Sequence, residues 1–189
     1  MRQSGTTKFG VFSGACLLCV LCVLCGSRFS VVNLEAGQRE DVGKADPDGT
    51  TALHWAVQRN DLDAAERLIR AGANVKAANR YGVTPLQVAA TNGSAPMIGQ
   101  LLAAGASPNT ATPEGETVLM TASRTGDPAA VKALLAHGAN VNATEGWRRQ
   151  TAVMWAAAEN NAAAVKLLID AGADLKARSK GGAFTAFLF

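Results

Sequence analysis

Four cysteines, Cys16, Cys19, Cys22 and Cys25, recur every three residues, a spacing that could gather thiolates around a metal or an iron–sulfur cluster. Their surroundings argue against it. The flanks are leucine and valine, no histidine or acid is near, and cysteine in such a run acts as a small hydrophobe. Lipid attachment is a second option, but Cys22 and Cys25 each follow a leucine where a small residue is needed, and Cys16 comes too early. The two histidines, His54 and His137, lie far apart with no obvious third ligand, so they make a poor zinc site. Asp61, Asp63 and Glu66 cluster, yet acids that open a helix complement its dipole. No serine sits in a G-x-S-x-G elbow, and no histidine and acid are placed to complete a triad. Gly181-Gly182 is too short for a phosphate loop. The expectation is therefore no catalytic residue, no metal and no cofactor.

The elements that carry these residues begin with a hydrophobic run. Residues 9–27 hold no charge and follow Arg2 and Lys8, the pattern of a secretory signal. A span needs roughly 17–25 apolar residues. Here Gly10, Ser13 and Gly14 dilute the front, which leaves Ala15 to Cys25 as the strongly apolar part. Cys25-Gly26-Ser27 offers small residues for cleavage. Residues 1–27 read as a signal peptide, with an uncleaved membrane anchor as the alternative and a misassigned start codon as a third. Removal of the run leaves a body without thiols, hence without disulfides and indifferent to redox compartment.

The chain has 189 residues, 18 Lys+Arg against 15 Asp+Glu, 48% apolar residues and only 5% aromatic ones. Its core must come from Ala, Leu, Val and Ile. Arg2 and Lys8 are the only charges before residue 28, which leaves 16 basic and 15 acidic side chains, a formal net of +1, in the body. A nearly neutral body gives no electrostatic case for nucleic acid.

A period of 33 organises the rest. Thr51, Thr84, Thr117 and Thr151 recur at 33, 33 and 34 residues, and so do Gly72, Gly105, Gly138 and Gly172. The extra residue falls in the Glu145–Gln150 turn. Each Thr can cap a first helix, and Pro85 fits just inside one. Asn60, Gly93, Gly126 and Asn160 stand where a tight turn needs a left-handed residue. Second helices follow, with larger apolar faces such as Ile98, Leu101 and Leu102 or Val131, Leu134 and Leu135, and the later glycines stop them. The second unit looks weaker, because Pro96 and Gly99 enter its second helix. No unit can bury its stripe alone, so neighbours must stack.

Thr51-Ala52-Leu53-His54, Thr84-Pro85-Leu86, Gly72-Ala73-Asn74-Val75 and Gly138-Ala139-Asn140-Val141-Asn142 resemble the opening and closing motifs of the ankyrin repeat. The resemblance implies an all-α solenoid of helix–turn–helix units with β-turn tips, preceded here by the N-terminal signal or anchor helix. Four repeats cover 46–78, 79–111, 112–144 and 145–178. Residues 28–45 read as a linker or partial cap, with Leu34–Val42 as one partial helix, and 179–189 as the start of a fifth unit ending on exposed Phe184, Phe187, Leu188 and Phe189. His54 is expected to bond the backbone of a neighbouring turn, and His137 to cap a helix C-terminus. Trp55 and Trp155, at equivalent places, are expected to pack.

The resemblance further implies a protein partner bound on the concave face of tips and first-helix ends. Carried over by position, the candidate contacts are Arg59, Arg80, Tyr81, Glu114, Glu116, Arg124, Trp147, Arg148, Arg149 and Glu159. Aromatic and arginine side chains dominate interface energetics. Trp147 either points outward from its lengthened turn or folds back over a neighbouring tip. The functional expectation is an exported, non-catalytic, monomeric interaction module, periplasmic or secreted, touching a membrane only through residues 9–27 if these stay uncleaved. The alternatives are the repeat portion of a longer enzyme or toxin, or an inhibitor or protector of a co-exported enzyme.

Overall fold

The computed structural model describes residues 42–180. The expected signal or anchor, nearly all of the 28–45 cap and the apolar tail from residue 181 lie outside the described residues. Among those described, no helix is long and apolar enough to cross a membrane.

Eight helices follow in four pairs: α1 (Ala52–Gln58) with α2 (Leu62–Arg70), α3 (Pro85–Thr91) with α4 (Ala95–Ala103), α5 (Val118–Thr125) with α6 (Pro128–Ala136), and α7 (Ala152–Ala158) with α8 (Ala162–Asp170). Each first helix starts after an extended threonine. The Thr84 and Thr117 hydroxyls accept the N–H of Gln87 and Met120, each at 3.3 Å, which satisfies one orphan donor of the first turn. Thr51 is held through His54, and the Thr151 hydroxyl caps nothing: it is buried without a hydrogen-bond partner. Asp61 accepts from Ala64 N–H at 2.9 Å and caps α2, so the acidic cluster there serves the helix. Asn60 and Asn160 turn the chain with φ of 55° and 56°, where Gly93 and Gly126 serve in the middle pairs.

The expected weakness of the second unit is not found. Pro96 falls within the first turn of α4, where its missing N–H removes no helical bond. The helix runs unbroken, and Met97, Ile98, Leu101 and Leu102 are all buried.

The first helices pack on one another as one layer (α1, α3, α5, α7) and the second helices as another. The core between them is aliphatic, built from Leu53, Leu86, Leu119 and Val153 in the first layer and Leu68, Leu101, Leu134 and Leu168 in the second. Side-chain amides join neighbouring units across this stack. Asn92 donates to the Val57 carbonyl at 3.0 Å, and Asn161 to the Ser123 and Arg124 carbonyls, both at 3.0 Å. The open C-terminal ends of α1 and α5 are thus capped by the next unit. Asn109 donates to Gly138 O at 3.1 Å and accepts Asn140 N–H at 2.7 Å; Asn142 repeats this with Gly172 and Asp174. Every such bond joins adjacent units, so stability is a chain of local joints.

The tips form a second seam. Arg80 N–H donates to Asp48 O at 2.8 Å, Gly146 N–H to Glu114 O at 2.7 Å and Lys180 N–H to Arg148 O at 2.7 Å, each across 32 residues. The same register between the second and third tips pairs Tyr81 with Pro113, which has no N–H.

Candidate binding face

The face is built on four turns that enter the first helices. Three share one plan. In the first, Asp46 N–H donates to Thr50 O and Gly49 N–H returns to Asp46 O, both at 2.8 Å; Asn79 to Val83 and Thr112 to Glu116 repeat it. Gly49, Gly82 and Gly115, each two residues before the capping threonine, have φ between 73° and 85°. The fourth turn is one residue longer and puts Arg149, with φ of 56°, in the glycine position.

A single carboxylate organises that fourth turn. Glu145 is buried and accepts the N–H groups of Trp147 (2.5 Å), Arg148 (2.5 Å) and Gln150 (3.1 Å). Burial opposes its charge, but these three donors and the Arg148 guanidinium outweigh burial and hold the carboxyl below its ordinary value. The sequence reading missed Glu145. The signal was its register: Asn79 stands two repeats earlier and likewise accepts two backbone N–H groups, those of Tyr81 and Val83, at 3.0 Å each. In the first turn the Thr50 N–H, and then its hydroxyl, donate to Asp48 and lower its carboxyl in the same way.

His54 welds the first two units. Its Nε2 lies 3.1 Å from the Val83 carbonyl, which can only accept, so Nε2 carries the proton. Nδ1 then accepts the Thr51 N–H at 3.1 Å and lies 2.9 Å from the Thr51 hydroxyl. Burial pushes the imidazole below its ordinary value, against the Val83 carbonyl and the Asp48 carboxylate, which favour the cation. His137 ends α6 with Nδ1 2.9 Å from Ala133 O. Both histidines therefore serve the fold, as expected. Among the described residues no group of three or more His, Cys, Asp or Glu is placed to hold a metal ion.

Three candidate contacts are arginines stacked on aromatic rings. Arg80 lies 4.8 Å from the Tyr81 ring centre, with its guanidinium donating to the Tyr81 hydroxyl at 2.6 Å. Arg148 lies 5.9 Å from the Trp147 ring and Arg124 5.1 Å from that of Trp155. Such pairs are worth about 0.5–1 kcal/mol at exposed sites and fix where the charge points. Trp147 is 78% exposed and Tyr81 56% exposed, so the lengthened turn does present its indole to solvent. Glu116 and Arg124 approach to 3.8 Å, and Glu116 also accepts the Thr121 hydroxyl at 2.7 Å. Gln87 donates to that hydroxyl at 2.6 Å, so a polar thread crosses three units.

Glu114 is exposed at the third tip, with its carbonyl in the seam. Arg59 and Glu159 end α1 and α7 as exposed C-cap residues, and neither side chain pairs with the other candidates. Arg59 instead lines an open cavity of about 380 Å³ with Trp55, Asp61 and Leu68. The packing expectation fails for Trp55. It is 47% exposed and reaches out to Asp46 at 2.9 Å, because no unit among the described residues precedes it to cover the ring. Trp155 is half-buried under Arg124, and its indole N–H is buried without a partner. Gly146 occupies the place from which Asp46 serves Trp55, nine residues upstream.

A family model described as ankyrin repeats in three copies matches residues 18–112 and 90–179. The chain belongs to the ankyrin-repeat family. The first match begins at residue 18, inside the apolar run. No curated protein matches the chain. Ankyrin repeats are in general protein–protein interaction modules and are typically non-catalytic. In this ankyrin array the tips and first helices hold the exposed aromatic and arginine side chains, while the second-helix layer spends its large apolar residues on the core.

Proposed function

We propose that this ankyrin array is a non-catalytic, monomeric module that binds a protein partner along its tips and first-helix ends. The observation that carries the reading is Trp147: a large, exposed indole beside Arg148 in a turn already ordered by Glu145. An anchor held in place before contact loses little entropy on binding. Tyr81 with Arg80, and Glu114 between them, extend the same row. The mix of signs, with Glu114 and Glu159 among Arg59, Arg80, Arg148 and Arg149, suits a protein surface better than a polyanion.

The proposal includes export. Its support is the charge-free stretch after Lys8. Intact-mass measurement of the chain recovered outside the cytoplasm fixes the matter: loss of about the first 27 residues supports export, and a cytoplasmic full-length chain refutes it. For binding, the test is capture of a stoichiometric partner by the wild-type chain and by Trp147→Ala. A hot-spot indole costs about 2 kcal/mol or more on truncation. A loss under about 0.5 kcal/mol removes Trp147 from the interface. Turnover of any substrate by the purified chain would overturn the non-catalytic reading.

A further inference from the structure

The loop 145–150 and the segment after α8 enclose a cavity of about 230 Å³, lined by Asn142, Thr144, Arg149, Thr151, Asp174 and Arg178 among others. It lies apart from the indole of Trp147, which does not line it. Three independent features meet there. First, Arg149 occupies the left-handed position that glycine fills in the other three tips, at φ of 56°. A non-glycine residue there costs of the order of 1 kcal/mol, and such strain persists where a side chain is needed in place. Second, Thr151 is the buried member of the lining, and its hydroxyl has no partner, whereas the hydroxyls of Thr84 and Thr117 each accept a helix N–H and that of Thr51 lies beside His54. Leaving such a group unsatisfied costs about 1–3 kcal/mol. Third, the guanidiniums of Arg149 and Arg178 line the cavity and neither forms an ion pair among the described residues. The one carboxylate in the wall, Asp174, already accepts the Lys176 N–H at 2.8 Å.

Two cationic forks and a hydroxyl offer donors from more than one direction. That suits an ion with several acceptor oxygens. The volume is below the roughly 300 Å³ at which pockets for larger organic ligands begin. We propose that this cavity binds a small tetrahedral oxyanion of the phosphate type, held by Arg149, Arg178 and the Thr151 hydroxyl.

The test is calorimetric titration of the full chain with inorganic phosphate, ionic strength held constant with sodium chloride, alongside thermal unfolding in both salts. Wild type is expected to bind saturably and to gain thermal stability with phosphate beyond that in chloride. Arg149→Gly removes the guanidinium and relieves the left-handed strain, so it stays folded and is at least as stable as wild type without phosphate. Its phosphate affinity should fall at least tenfold, and that of Arg178→Gln likewise. Arg67→Gln, on the exposed face of α2, should bind as wild type does. Equal phosphate responses in wild type and Arg149→Gly, or a chloride response as large as that to phosphate, would overturn the proposal.

Discussion

The carbonyl of Tyr81 and the nitrogen of Pro113 stand in the register at which the other neighbouring tips hydrogen-bond, and proline has no hydrogen to give. The ring closes up on the second tip all the same: a Cβ on Gly82 would lie 2.6 Å from Pro113 Cδ. The seam is therefore bonded at three joints with an apolar contact at the remaining one.

Pro113→Ala supplies the missing donor. The new amide at position 113 should be protected in hydrogen exchange to the level of the Arg80 and Gly146 amides. The gained bond is worth about 1 kcal/mol, and lost rigidity of the unfolded chain takes back about 0.4–1 kcal/mol. Net stability should thus move by less than about 1 kcal/mol. An unprotected amide would show that the tips are not in register there.

The joint between the first and second units lacks the asparagine link of the later ones, because Lys76 stands where Asn109 and Asn142 stand. Lys76→Asn places an amide opposite the Gly105 carbonyl and the Ser107 N–H. It should raise stability by about 0.5–1.5 kcal/mol in urea unfolding. A decrease would mean that this joint has a different geometry.

His54 makes stability depend on pH. Its folded value is depressed, so between that value and its ordinary 6.5 the unfolded chain binds more protons. The contribution is complete above about pH 6.5 and is lost as pH falls through the folded value. Protonation at Nδ1 would also set a donor against the Thr51 N–H. The urea midpoint of wild type should decline from pH 7 to pH 5. His54→Gln, which copies Gln87 of the next repeat, should decline less over that range.

Trp155 and Trp55 should respond oppositely to loss of the indole nitrogen. Trp155→Phe removes a buried N–H that has no partner, so it should be neutral or stabilising. Trp55→Phe breaks the bond to Asp46 and should cost up to about 1 kcal/mol. Equal costs would indicate that ring packing, not the polar atom, decides both.

Much of the fold was legible because the repeat writes each structural demand several times. Thr84 and Thr117 cap, Asn60 and Gly126 turn left-handed, and Leu101 and Leu134 face the core for reasons visible in one unit and multiplied by the period. What escaped was whatever depends on a neighbour. Trp55 shares its register with Trp155, yet one reaches Asp46 and the other sits under Arg124, because the units before them differ. Thr151 looks like the other caps, yet the longer turn before it leaves its hydroxyl alone. The candidate residues were placed by position alone, so their stacking partners and the role of Glu145 could not be read from periodicity.

That Glu145 gathers the fourth loop has a consequence for how the molecule fails in acid. Its carboxyl is depressed from an ordinary 4.5, whereas His54 begins to weaken its joint from 6.5 downward. Gradual acidification should thus loosen the amino-terminal end of the row while the clasp around Trp147 still holds. The surface most suited to gripping another molecule would be the last part to let go.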